Sequence, residues 1–289
     1  MGYADGYYYG QGRIICDTST FSVGDTIRVR SMTDSSKVWN QQVATVGTAL
    51  VFTVPCYDYY KICTVQTIND TPTEIGGVYK TVDYGQTLFI NVLDKTTLGG
   101  IQGILNAHQE TLLLNIGDEV DITVNNDSWK MQIAGINVYN SHEVIFVSKY
   151  IYAFIPKNGN NYATNDLRTK VQEFYANIGS KDKQYIKQVS RKCYVSGGEV
   201  TYDDYCYILG NKETANVTSY NKVASQSQMP LFLTQSNRVK SYNGNNTGWW
   251  TSDWANNSDF IIITNAGAGS LASSSTFGVV PAFTLLADS

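Results

Sequence analysis

Three tryptophans stand within six residues of one another: Trp249, Trp250 and Trp254. Amides crowd around them, with Asn243, Asn245 and Asn246 before, Asn256 and Asn257 after, and Asp253 inside the group. Aromatic faces with polar neighbours suit sugar stacking and hydrogen bonding. Tryptophans in short strands also plug cores. One of Trp249 and Trp250 is expected to do that. Trp254 reads as a loop residue and is expected to be the exposed ring. The candidate ligand-binding residues are therefore Trp254, Asn245, Asn246, Asn256, Asn257 and Asp253.

Other reactive side chains are sparse. The only histidines are His108 and His142, and neither has a cysteine, histidine or carboxylate at metal-ligand spacing. Asp203 with Asp204, and Asp253 with Asp259, offer oxygens of the kind calcium takes. Without further donors they are expected to be solvated loop carboxylates, and no metal or other cofactor is assigned. Cysteines at 16, 56, 63, 193 and 206 follow no zinc pattern, so free thiols, buried or half-buried, are the expectation. Cys193 and Cys206 could face each other across a hairpin; whether they are bridged is left open. No G-x-S-x-G elbow and no Walker loop occurs. No catalytic residue is assigned, and the chain is expected not to be an enzyme.

Charged residues make up 16% of the 289, well below the usual quarter, and the net charge is −4. No basic run could follow a phosphate backbone, so nucleic acid is not expected as a partner. Residues 1–6 lack the basic start and apolar stretch of a signal peptide. The apolar run from Val144 to Ile155 carries Lys149 and is too short to span a bilayer, so no membrane partner is expected. Tyrosine occurs 21 times; it favours strands and also wet interfaces.

The elements that must position these residues fall into two parts. Residues 1–95 read as seven or so short strands with period-two alternation, clearest in Asp25-Thr26-Ile27-Arg28-Val29-Arg30. Their even spacing predicts a small β-sandwich. Residues 96–289 read as an α+β domain, opened by a short helix over 98–108. A hairpin is predicted from 116–124 to 129–135 across Asn125-Asn126-Asp127, followed by a buried strand over 143–148. Leu167, Val171, Phe174 and Ile178 form one helical stripe, with Asn165 as the cap and Gly179 as the stop.

Six segments in order carry a resemblance over 96–289. They are the Gly-Gly-Ile-Gln helix leading to Ile116-Gly117-Asp118, Trp129-Lys130-Met131-Gln132-Ile133-Ala134-Gly135, Val144-Ile145-Phe146-Val147-Ser148, Asn165-Asp166-Leu167-Arg168, Gly248-Trp249-Trp250-Thr251-Ser252 and Gly278-Val279-Val280-Pro281-Ala282-Phe283. Together they resemble the C-type-lectin-like domain of unknown function found in gut bacteria and their phages. Thr251 and Val280 stand where that family usually has arginines, which points to polar contacts exchanged for apolar ones. Phe52-Thr53-Val54-Pro55 and Tyr59-Tyr60-Lys61-Ile62 resemble, loosely, Ig-like or carboxypeptidase-regulatory-like modules. The calcium-lectin signatures are absent. Enzymes of the lectin-like fold oxidise a sulfatase cysteine with paired cysteines, and Cys193 and Cys206 do not sit in the expected late segment.

The resemblance implies a mainly β protein, with an Ig-like sandwich over 1–95 followed by a lectin-like domain over 96–289. It implies a bacteriophage virion surface protein, made in the host cytoplasm: a tail or baseplate fibre, or a capsid decoration. The partners implied are other virion proteins, a host-surface glycan or protein, and further copies of the chain, with a trimer as first choice. The N-terminal part would dock on the particle. A bacterial surface adhesin is the alternative, and an oxidase of the same fold is a third.

Overall fold

The computed structural model describes residues 3–4, 7–8, 10–18, 21, 23–68, 71–90, 95–106, 108, 110–156, 161–195, 198–220, 223–255, 259–272 and 275–288. The fold is mainly β and divides into two compact units, 1–109 and 110–289.

In the first unit all seven expected strands form, in two sheets. Gln11–Cys16 lies between Leu50–Pro55, antiparallel, and Thr87–Ile90, parallel. The second sheet runs Val38–Gln42, Thr26–Ser31, Asp58–Ile68, Thr71–Val82, all antiparallel. Alternation does what the sequence requires: Ile14, Cys16, Ile27, Val29, Phe52, Val54 and Ile62 are buried, and the arginines of Thr26–Ser31 sit on the other face. Arg28, Arg30 and Lys61 all pair with Glu74, which keeps three neighbouring cations from repelling one another unopposed. Gly12 shows how near the two sheets come. A Cβ there would lie 2.3 Å from Val82 Cγ1 of the other sheet.

The expected boundary at 95/96 is corrected. Helix Leu98–Asn106 forms, capped by Thr97 Oγ1 accepting from Gly100 N at 3.1 Å, but it packs on Thr71–Val82 and belongs to the first unit. Its three glycines cost propensity. Burial of all nine residues, including Leu98, Ile101, Ile104 and Leu105, offsets that cost. The helix closes the first unit rather than opening the second.

The second unit has two five-stranded sheets. One runs Glu119–Val124, Asp127–Ile136, Glu143–Ser148, Ala282–Leu286, Cys206–Tyr207. The predicted hairpin is its start, turning at Asn125 and Asn126, both at positive φ as a two-residue I′ turn requires. Glu143–Ser148 is buried at every position and pairs with the closing strand Ala282–Leu286. The other sheet runs Ala153–Pro156, Thr276–Val279, Trp249–Trp254, Phe260–Ile263, Gly269–Ala272. The helix spans Asp166–Ala176, with Asn165 Oδ1 accepting from Arg168 N at 3.2 Å; it ends at Asn177, two residues before the expected glycine. No described helix is long and apolar enough to cross a membrane.

Candidate functional site

The hairpin Lys240–Tyr242 with Asn245–Thr247 turns through Asn243 and Gly244. Their φ values are 49° and 81°, so the Asn-Gly pair is the turn chemistry this tight reversal needs. A bridge between Tyr150 and Ser241, with Ile151 N donating to Ser241 O at 3.0 Å, fixes the hairpin beside segment 150–152. Between them opens a recess of about 500 Å³, lined by Trp129, Tyr150, Tyr152, Ser241, Tyr242 and Asn243 among others.

Each ring there has a defined seat. Trp129 sits edge-on to Tyr150, Tyr152 and Phe174 at 6.2, 5.9 and 6.0 Å, and its Nε1 donates to Ser148 Oγ at 2.9 Å. The Tyr152 hydroxyl accepts from Asn177 Nδ2 at 3.1 Å. Tyr242 packs edge-on against Phe154 at 4.9 Å. Tyr150 and Tyr242 remain 37% and 40% exposed, so two aromatic side chains of a rigid wall reach solvent.

The residues expected to bind ligand are distributed differently from the sequence reading. Asn245 and Asn246 are exposed on the hairpin that borders the recess, paired with Tyr242 and Ser241. Trp254 is not the exposed ring: it ends the strand Trp249–Trp254, is 1% exposed, and packs edge-on to Phe260 at 5.6 Å. Asp253 is not a loop carboxylate. It is 1% exposed and accepts from Tyr194 N at 3.1 Å and Asn211 N at 2.7 Å. Burial still pushes its carboxyl up to about 7. Asn256 and Asn257 lie outside the described residues. Both Trp249 and Trp250 are core residues, where only one was expected; their indole nitrogens donate to Arg238 O and Ile155 O.

Other acidic and sulfur groups are also absorbed into structure. Asp204 is buried against Arg168, which donates to it through Nε and Nη2. Cys193 and Cys206 are both free and buried, one paired with Val200 in a hairpin and the other with Phe283 in the main sheet. Burial raises the Cys193 thiol to about 12, which keeps it a thiol at neutral pH. His142 Nδ1 lies 3.0 Å from the buried Glu110. No group of three or more His, Cys, Asp or Glu among the described residues is placed to hold a metal ion. Thr251 donates from Oγ1 to Ile261 O at 2.8 Å, and Val280 is fully buried.

A second pocket of about 320 Å³ opens beside Tyr139, Glu143, Arg191, Lys192 and Gln226. Beneath it lies the most buried ion pair among the unit's described residues. Arg191 is held between the rings of Tyr139 and Tyr207 at 5.3 and 4.3 Å, and donates to Glu213. Glu213 also accepts from Tyr139 Oη at 2.6 Å and Gly210 N at 2.7 Å. This pair braces four separate segments rather than presenting a reactive group.

Lys240, at the base of the hairpin, is buried, and its Nζ donates to Gln132 Oε1 at 3.3 Å. Burial, with Lys149 nearby, lowers its ammonium from 10.5 to about 7. The folded pKa lies below the unfolded one. The fold therefore loses stability as pH falls from 10.5 through 7. Lys240→Met should remove that loss. Urea unfolding at pH 10, 8 and 6 should show the variant gaining on the native chain towards low pH, by on the order of a few kcal/mol. Parallel curves would refute the burial of a titrating amine.

Two signals for the recess were present in the sequence: Tyr150 and Tyr152 at a spacing of two, and the Asn243-Gly244 turn dipeptide. Compared with models of protein families, with curated proteins and with solved structures, the chain matches none.

Proposed function

We propose that this chain is a non-enzymatic attachment protein of a bacteriophage virion surface, with the 1–109 unit docking on the particle and the 110–289 unit displayed. The observation that carries the reading is the aromatic recess: exposed tyrosines on a rigid wall beside an asparagine-rich hairpin. Rigid aromatics with adaptable amides suit contact with a wet polar surface. Low charge and high tyrosine content fit the same use.

The finer fold reading rests on strand order. Numbered in sequence from Gln11–Cys16, the first unit's two larger sheets hold strands 4-1-7 and 3-2-5-6. The constant immunoglobulin arrangement groups 1-2-5-4 and 3-6-7 instead. Of the two modules it resembles, the carboxypeptidase-regulatory-like one is therefore favoured. For the second unit, the return of the closing strand to Glu143–Ser148 supports the lectin-like reading. That is fold-level analogy and carries the fold only.

The decisive experiment is mass spectrometry of purified phage particles. The chain should appear in fixed ratio to capsid or tail proteins, and host cells should bind the full-length protein. Absence from particles overturns the virion setting; finding it on cell walls without phage genes nearby favours a bacterial adhesin.

A further inference from the structure

The lining of the 500 Å³ recess has a chemical bias. Its residues are Trp129, Tyr150, Ile151, Tyr152, Ser241, Tyr242, Asn243 and Gly244, and none is charged. Lys130 and Lys149, which flank the lining in sequence, are committed to carboxylates, and Lys240, next to Ser241, is buried with its Nζ on Gln132. Lys149 Nζ is 2.6 Å from Glu119, and Lys130 Nζ is 3.1 Å from Asp121. Lys149 also lies 6.0 Å from the Tyr150 ring centroid, so its charge is matched on one side by a carboxylate and on the other by an aromatic face. A carboxylate or phosphate entering here would lose hydration and find no cation among the residues that line the recess.

The aromatic groups divide into wall and platform. Trp129 is half-buried, surrounded by three ring edges, and its only N–H is spent on Ser148. It is wall. Tyr242 is 40% exposed and held in a T-shaped contact with Phe154, with the interplanar angle at 84°. That fixes the ring without covering both faces. It is platform, and Tyr150, 37% exposed, stands across the hairpin bridge from it. Ser241 and Asn243 supply a hydroxyl and an amide at the same rim.

We infer that this recess binds a neutral pyranose, stacked on Tyr242 and hydrogen-bonded at the Ser241–Asn243 rim, without any metal ion. A pyranose offers one apolar C–H face and a girdle of hydroxyls, which is the complement of an uncharged aromatic wall with polar edges. The inference shares the recess with the attachment reading but does not depend on where the protein is mounted.

Saturation-transfer NMR on the full chain, with chelator present, tests it. The probes are neutral oligosaccharides of glucose, galactose, mannose and N-acetylglucosamine, set against glucuronate and N-acetylneuraminate oligomers. A neutral oligosaccharide should bind, and more tightly than the acidic ones. Tyr242→Ala should weaken it about tenfold, the scale of losing one well-placed aromatic contact. Tyr242→Phe, which keeps the ring, should bind within about twofold of the native chain by the same scale. Tyr242 is exposed enough for both variants to fold, which unchanged thermal unfolding would verify. Three results would overturn the inference: no neutral sugar binds, acidic sugars bind as well or better, or Tyr242→Ala is without effect. Sugar binding by a chain missing from virions would sink the virion setting and leave this site standing.

Discussion

Replacing Glu213 with alanine is expected to destabilise the 110–289 unit by about 3–5 kcal/mol, the range for breaking a buried ion pair from one side. Glu213 is fully buried and accepts from Arg191, Tyr139 and the backbone of Gly210. Its loss strands the Arg191 guanidinium between two tyrosine rings, and Arg191 Nε already has no partner among the described residues. The double variant Arg191→Met with Glu213→Leu should recover part of the loss, because it removes the charge as well as its partner but leaves Gly210 N and Tyr139 Oη without their acceptor. Urea unfolding of the three proteins gives the comparison. A Glu213→Ala loss under about 1 kcal/mol would mean the pair is as weak as an exposed one.

Trp249→Ala is the second large effect. Trp249 is fully buried, pairs with Ile263 across the strand, and lies 6.1 Å from Phe232. Its truncation removes the ring and leaves Arg238 O without the indole donor at 2.9 Å. A loss of about 3–5 kcal/mol follows from the cavity, with more from the orphaned carbonyl. For a unit of this size that lowers the melting temperature by on the order of 10 °C. Trp249→Phe should cost less, since much of the volume stays. Equal losses for the two variants would show that the hydrogen bond, not the packing, dominates. Either large variant consumes a sizeable share of a typical domain's 5–15 kcal/mol.

The strands of the first unit were legible because each has one face buried, and that writes a period of two into the sequence. Thr26–Ser31 buries every second residue. The strand Trp249–Trp254 is buried at all six positions, so it carries no alternation, and Trp254 looked like a loop residue. Asp253 misled for a related reason. A carboxylate beside asparagines looks solvated, and only the fold shows Tyr194 N and Asn211 N converging on it. The helix Leu98–Asn106 was visible from its apolar spacing, but spacing does not say which side of a boundary a helix packs on. The recess was hidden most thoroughly. Pairing of Asp127–Ile136 with Glu143–Ser148 brings Trp129 to Tyr150, and one bridge between Tyr150 and Ser241 adds Tyr242 from about ninety residues on. Two of the six residues expected to bind ligand, Asn245 and Asn246, lie on the hairpin that borders the recess.

The closing strand Ala282–Leu286 lies inside its sheet, between Glu143–Ser148 and Cys206–Tyr207. On the ribosome, therefore, both neighbours are made long before the strand that joins them. Until it arrives, Glu143–Ser148 is an open edge, and all six of its residues are destined for burial. The second unit cannot fold piecemeal as it emerges; it must wait for its late residues and then close through long-range pairing, which is slow. The first unit has no such debt, since the strands of its two larger sheets and its helix are complete by Gln109. Nascent chains should thus carry one finished module ahead of a sticky, unfinished one, and the interval between them is when holding chaperones would matter most.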